Sequence, residues 1–381
     1  MPSLADQIAP LISRHPGIWD LTRRFRGGAA AEVVTERRVR PFDAIDLRAG
    51  DLGPGGVFGS LADVEYTEGL YASPRGSVLL PHDGYVVAPH LVLEERGVID
   101  FELQRRFRPG LRRYAAWRAL DVGRGRGLDL ALSFRTKSEK NHFHLVNDLI
   151  GGRLRMAHDA GVPDDTPIVV SSGLARLAVF GEIQQLPGLR DRRWIVQGPR
   201  ELLRCRRLLV GQTGAASREN IEHARKVLGV EASDPRSADR IFVSRSAGRT
   251  IANAEEIAGV CREFGFTVVD PAAMSLAEQR AVFSRAGYVI GVHGAALTNL
   301  VFRRGAPLHV LEIFPNASGA RGRYHFFFLC RVSGFRYHSL TAGSPDDGYP
   351  WDAPFELDAR ALADAIESLL APDPDEPITG R

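Results

Sequence analysis

The chain has 381 residues, enough for two domains with a sizeable core each. With 44% hydrophobic and 25% charged residues it has the composition of a soluble globular protein, and a formal net charge of +3 is too small to argue for nucleic acid. Nearly all the positive charge is arginine, with lysine only at Lys137, Lys140 and Lys226. The arginine runs, such as Arg23-Arg24-Phe25-Arg26 and Arg204-Cys205-Arg206-Arg207, read as solvated faces; the competing reading is a groove for an anionic acceptor or a membrane surface.

Cys205, Cys261 and Cys330 are far apart and odd in number, which argues against a disulfide framework and a zinc site. The first twenty residues lack the continuous apolar core of a signal peptide, and no apolar run is long enough to span a bilayer. The expectation is a soluble protein in a reducing cytoplasm, with at most peripheral membrane contact.

In chain order, Leu4 to Ile12 suits a short helix, and Gly27-Gly28 and Gly53 to Gly56 break the pattern that follows. Residues 77–95 predict a hairpin, SVLL and YVVAPHLVLEE about His82-Asp83-Gly84. Asp129 to Phe134 reads as a strand and Lys140 to Ile150 as a helix. His144 and Asp148, four apart, share one face of that helix; the pair reads either as a carboxylate orienting a general base or as a surface pair supporting a helix. Strands at Ile168 to Val170, Trp194 to Val196 and Leu208 to Val210 alternate with helices at Leu174 to Gly181 and Glu219 to Leu228. Such alternation argues for α/β with a mostly parallel sheet.

The polar stretch Ala232 to Asp239 predicts a linker, so residues 1–235 read as a first domain, 236–345 as a second α/β domain, and 346–381 as a terminal helix and disordered tail. In the second domain the predicted strands are Arg240 to Ser244, Phe266 to Val269, Tyr288 to Val292, Leu308 to Ile313 and Phe335 to His338. Asn253 reads as a helix cap, Ser275 with Glu278 as a capping box, and Gln279 as a solvated or functional helix residue. Further helices fall around Tyr324 to Arg331 and over Ala361 to Leu370.

Ligands of open α/β sheets sit beyond the carboxyl ends of the strands. Three such ends carry suggestive chemistry. Ser244, Arg245 and Arg249 offer hydroxyl and forked donors to phosphate. His293, Gly294 and Ala295 form a strand–turn–helix junction with unpaired N–H groups and a donor side chain, and Glu312 offers an acceptor for a ribose diol. No Asp-x-Asp motif falls within residues 236–345, so a metal is not called for there.

The array Ser244-Arg245…Arg249…Asn253-Ala254-Glu255-Glu256, then Gly265-Phe266, Glu278-Gln279, Gly291-Val292-His293-Gly294-Ala295-Ala296-Leu297-Thr298-Asn299, Phe302 and Leu311-Glu312 resembles glycosyltransferase family 61, the capsular polysaccharide type. Weaker similarity reaches Asn141-His142-Phe143-His144…Asp148. The resemblance implies a GT-B-like architecture, two Rossmann-like domains facing across a cleft, and an inverting, metal-independent transfer. The donor it implies is a nucleotide diphosphate sugar, usually of uridine, with no separate cofactor. The acceptor is a glycan or lipid-linked glycan, and an oligomer is left open. Arg245, Arg249 and the His293 turn would hold the diphosphate, Glu312 the ribose, and His144 or Asp148 would be the base. A nucleotide-sugar epimerase and a catalytically silent nucleotide-binding scaffold are the alternatives.

Overall fold

The computed structural model describes residues 32–39, 66–72, 77–79, 91–94, 97–100, 126–136, 138–198, 201, 203–213, 216–316, 325–343 and 351–371. The expected helix at Leu4 to Ile12, the glycine breaks near 27 and 53, the His82-Asp83-Gly84 turn, the arginines at 23–26 and the tail from Pro372 lie outside them. Among the described residues, no helix is long and apolar enough to cross a membrane.

The chain divides into two compact units. The first takes in Tyr66–Gly214 and Lys226–Gly229 with the strand Glu32–Val39; the second takes in Ala215–Arg225 and Val230 onward.

In the first unit the strands are β1 (Glu32–Val39), β2 (Tyr66–Ala72), β3 (Ser77–Leu79), β4 (Leu91–Glu94), β5 (Gly97–Asp100), β6 (Arg126–Ser133), β7 (Ile168–Ser171), β8 (Trp194–Gln197) and β9 (Leu203–Gln212). They form one mixed sheet in the order β5-β4-β3-β9-β6-β7-β8, with β2 also on β9 and β1 on β2. The β6, β7, β8 and β9 pairings are parallel, whereas β2 and β3 run antiparallel to β9. The predicted hairpin partners are antiparallel neighbours, Val78 opposite Leu93. Ala131, Val169, Ile195, Leu203, Cys205, Leu208 and Val210 build the core against this sheet.

The segment read as one helix over Lys140 to Ile150 runs longer and winds differently: α-helical at His142–His144, a π-helix over Leu145–Leu154, then α-helical at Arg155–Asp159. π-Winding is rare and gathers at functional sites. Gly152 in this winding lies against Thr213, just past β9, where a Cβ would overlap Thr213 Cγ2. The helix read over Leu174 to Gly181 is two short ones, Ser172–Ala175 and Ala178–Gln184.

The second unit holds β10 (Asp239–Val243), β11 (Thr267–Val269), β12 (Ala286–Val292), β13 (His309–Phe314) and β14 (Arg336–Thr341). All four pairings are parallel, in the order β11-β10-β12-β13-β14. Counted within the unit this is 2-1-3-4-5, a doubly wound order whose switch point lies between β10 and β12. Phe242, Ile290, Leu311 and Ile313 face a core closed by the helices Ala254–Glu263 and Ala359–Leu370, through Ile257, Cys261, Leu362, Ile366 and Leu369.

The expected linker at 232–239 belongs to the second unit and is clasped by Arg303, which is 1% exposed. Its guanidinium donates to Ser237 Oγ at 3.0 Å, Ser237 O at 2.9 Å and Ser284 O at 2.7 Å. Buried guanidinium donors satisfied by carbonyls make a rigid splice. Asn253 stands at the helix N-cap, but its side chain makes no cap hydrogen bond. Instead Asn253 Nδ2 donates to Leu357 O at 2.9 Å and Leu357 N donates back to Oδ1 at 3.1 Å. Ser275 and Glu278 form both halves of a capping box.

Candidate functional site

The carboxyl ends of β10 and β12 flank the switch point of the second unit, and the chain places Ser244–Arg249 after one and His293-Gly294-Ala295 after the other. β12 is apolar and buried along nearly its whole length, as a central parallel strand should be. After Gly294 the chain forms a 3-10 helix, Ala295–Phe302, where an α-helix was expected, and no side chain caps its start. The first N–H groups of such a segment have no partner within the helix and suit an anion. Asn299 holds the helix in place by donating to Gln279 Oε1 at 2.7 Å, while Gln279 Nε2 donates to Pro271 O at 2.9 Å and Met274 O at 3.1 Å. Gln279 is thus a buried strut, and not the solvated helix residue its position suggests.

His293 is 6% exposed and packed among rings: Phe314 stacks at 5.2 Å, with Phe326 at 5.4 Å and Trp351 at 5.6 Å edge-on. Its Nδ1 lies 2.6 Å from Glu312 Oε1. A carboxylate on Nδ1 fixes the tautomer and ring orientation and leaves Nε2 as the reactive atom. Glu312 is wholly buried, and its second oxygen accepts from Tyr337 Oη at 2.6 Å. Both Glu312 oxygens, expected to face a ribose, are thus engaged inside the protein, one with His293 and one with Tyr337.

Arg245 turns into its own loop. Nε donates to Gly248 O at 2.9 Å, Nη2 to Ala247 O at 3.2 Å, and Nη1 to His293 O at 3.0 Å. The guanidinium therefore ties the loop after β10 to the turn after β12. Three contacts leave part of its fork of five N–H donors for a ligand. Burial pulls its pKa below the usual arginine range, with Asp352 opposing. Ser244 Oγ donates to Val269 O at 3.1 Å, so its proton serves β11. Arg249 adopts φ 50°, a left-handed conformation unusual for a side-chain-bearing residue. Its Nη1 lies 3.0 Å from Asp352 Oδ1 and its guanidinium 5.1 Å from the Trp351 ring, so it braces the tryptophan beside His293. The residues expected to bind the nucleotide thus separate: Arg245 meets the His293-Gly294-Ala295 turn, Glu312 binds His293, Arg249 stands behind Trp351, and Ser244 faces Val269.

In the first unit His144 Nδ1 lies 2.7 Å from Asp148 Oδ2, and Asn147 Nδ2 donates to Asp148 Oδ1 at 2.7 Å. Asp148 therefore has a partner on each carboxylate oxygen, His144 on one and Asn147 on the other. Both side chains are partly exposed. Beyond the carboxyl ends of β6, β7 and β8 lies a buried polar cluster absent from the sequence reading. Arg135 binds Gln197 and sits 3.3 Å from Glu139, and Arg153 donates to Ser133 O at 2.8 Å. Burial raises the Glu139 pKa, with Arg135 opposing. Tyr337 and Trp351 were likewise not singled out by the sequence, because nothing local marks them.

The fold and site define a doubly wound α/β unit whose switch point carries an uncapped helical start beside Arg245 and His293. Residues 129–308 match the family model described as Glycosyltransferase 61. The chain is a glycosyltransferase by that match, which ends just before β13, so Glu312 and Tyr337 lie beyond it. No curated protein sequence matches the chain. Among solved structures, the E. coli heptosyltransferase WaaC with ADP is similar at 10% identity and TM-score 0.29, covering 63% of this chain and 97% of that chain. The iron-containing dodecameric glycosyltransferase TibC from enterotoxigenic E. coli H10407 is similar at 11% identity and TM-score 0.29, covering 64% and 75%.

Proposed function

We propose that this chain is an inverting, metal-independent glycosyltransferase of GT-B architecture. It moves a sugar from a nucleoside diphosphate donor, uridine-linked, to a hydroxyl of a surface or capsular glycan. The cytoplasm is its proposed location. The observation that supports this reading most is the meeting of His293, held by Glu312, with Arg245 at the switch point of the parallel sheet. In the reaction, His293, held through Nδ1–H by Glu312, turns Nε2 toward the leaving diphosphate. Arg245 and the uncapped N–H groups at Ala295 share its charge. His144, oriented by Asp148, takes the proton of the acceptor hydroxyl as that oxygen attacks the anomeric carbon. The bond to the diphosphate breaks as the new glycosidic bond forms, inverting the centre. Ribose recognition falls to groups other than Glu312.

Calorimetry with UDP, ADP and GDP on the full chain tests this reading. One nucleoside diphosphate should bind, and Arg245→Ala should weaken it by ~10-fold or more, the worth of a charge-assisted hydrogen bond. Binding of none of them, or equal binding by the variant, would overturn the site.

A further inference from the structure

Glu312 is a fully buried carboxylate, and a buried charge needs donors to replace lost water. It has two. His293 approaches Oε1 from beyond the end of β12, and Tyr337 approaches Oε2 from β14. The parallel register explains the reach of the phenol. Val310 pairs with Tyr337 and Glu312 with Ser339, so Tyr337 and Glu312 lie on one face of the sheet, diagonal across adjacent strands. The tyrosine ring is 3% exposed and held edge-on by Phe327 at 5.3 Å. Burial, then the Glu312 charge, pushes the Tyr337 pKa well above its ordinary value, so it remains a protonated donor. Among the described residues, the titratable groups about this carboxylate are His293 and Tyr337, with Cys330 from the helix His325–Val332. Arg245 meets His293 at its backbone oxygen, and Arg249 and Asp352 stand behind Trp351.

We propose that Tyr337 is a positioning residue for His293: its phenol fixes the Glu312 carboxylate so that Oε1 holds Nδ1–H, and Nε2 is the nitrogen turned to the ligand. Tyr337 touches no substrate in this scheme and acts through Glu312 alone. Its importance for transfer rests on the reading of His293 given above, while its control of the imidazole does not.

The test uses the full chain with ¹⁵N-labelled histidine and two-bond ¹H–¹⁵N spectra of the neutral imidazole, which report the tautomer directly. Wild-type His293 should carry its proton on Nδ1, and Tyr337→Phe should shift it toward a mixture of tautomers. A wild-type His293 found as the Nε2–H tautomer overturns the proposal without any variant, as does an unchanged Nδ1–H tautomer in Tyr337→Phe. Calorimetric titration with UDP across pH adds the functional arm. Tyr337→Phe should bind several-fold more weakly with an altered pH profile, and should add nothing in a Glu312→Gln background. A purely structural tyrosine would lower the unfolding midpoint and leave the pH profile of binding unchanged, which would overturn the proposal. Wild-type protein that binds no nucleoside diphosphate while showing the tautomer change would instead defeat the reading of the site and spare that of Tyr337.

Discussion

Arg245 Nη1 donates to the backbone oxygen of His293 at 3.0 Å, so one guanidinium joins two strand ends that are 48 residues apart in sequence. Gly294 makes room for it: a Cβ there would overlap Nη1 and lie 2.9 Å from Cζ.

The displaced group in Gly294→Ala is the far end of a flexible side chain, so the variant should fold. It should lose nucleoside diphosphate affinity about as Arg245→Ala does. Because both changes remove the same clasp, their effects should not add, and a double-mutant cycle reads this as a coupling of ~0.5–3 kcal/mol. Full additivity in calorimetry would mean that Arg245 and the turn act independently.

For the proton transfer, His144→Ala should lower the transfer rate by ~10²-fold or more without weakening nucleotide binding. Asp148→Asn keeps the shape but loses the charge that orients the ring, and should cost less. Initial rates on a glycan acceptor panel check both; full rates in each would place the base elsewhere.

Asn299→Ala should destabilise the second unit by about 1–3 kcal/mol, because Gln279 Oε1 loses a buried donor. Urea titration would show this as a lower midpoint at unchanged slope. An unchanged midpoint would remove the strut assigned to Gln279.

Alkaline pH should also weaken the fold. Burial pushes the Cys205 and Cys261 thiols up to about 12 from 9.0, and raises Cys330 and Tyr337 well above 9.0 and 10.0. The native state then binds these protons more tightly than the unfolded chain does. The stabilisation is complete below about pH 9 and is lost as pH rises toward the folded-state values. Urea midpoints should fall between about pH 9 and about pH 11; a flat profile would contradict the burial of these groups.

Local pattern made the strands and the turn at His293 legible, since an apolar run ending in His-Gly is written within a few residues. The i,i+4 spacing of His144 and Asp148 was equally local, and the pair meets at 2.7 Å. What escaped depends on partners far along the chain. Glu312 read as a ribose acceptor because its strand-end position is visible and its two donors, 19 and 25 residues away, are not. Asn253 read as a cap because Leu357, 104 residues on, is invisible from its neighbourhood. The π-winding of Leu145–Leu154 leaves the same apolar spacing as an ordinary buried helix, so composition does not announce it.

The exchange of hydrogen bonds between Asn253 and Leu357 also governs how the chain can be shortened. Phe355 N donates to Thr250 O at 3.0 Å and Ala252 N donates to Phe355 O at 2.7 Å, so residues 355–357 lie along the segment leading into the helix Ala254–Glu263. The final helix then lays Leu362, Ile366 and Leu369 on the same core as Ile257 and Cys261. A truncation made after β14, where the sheet is already complete, would strip this cover and expose a continuous apolar face. The smallest expressible version of the second unit therefore ends at Leu370 and not at its last strand.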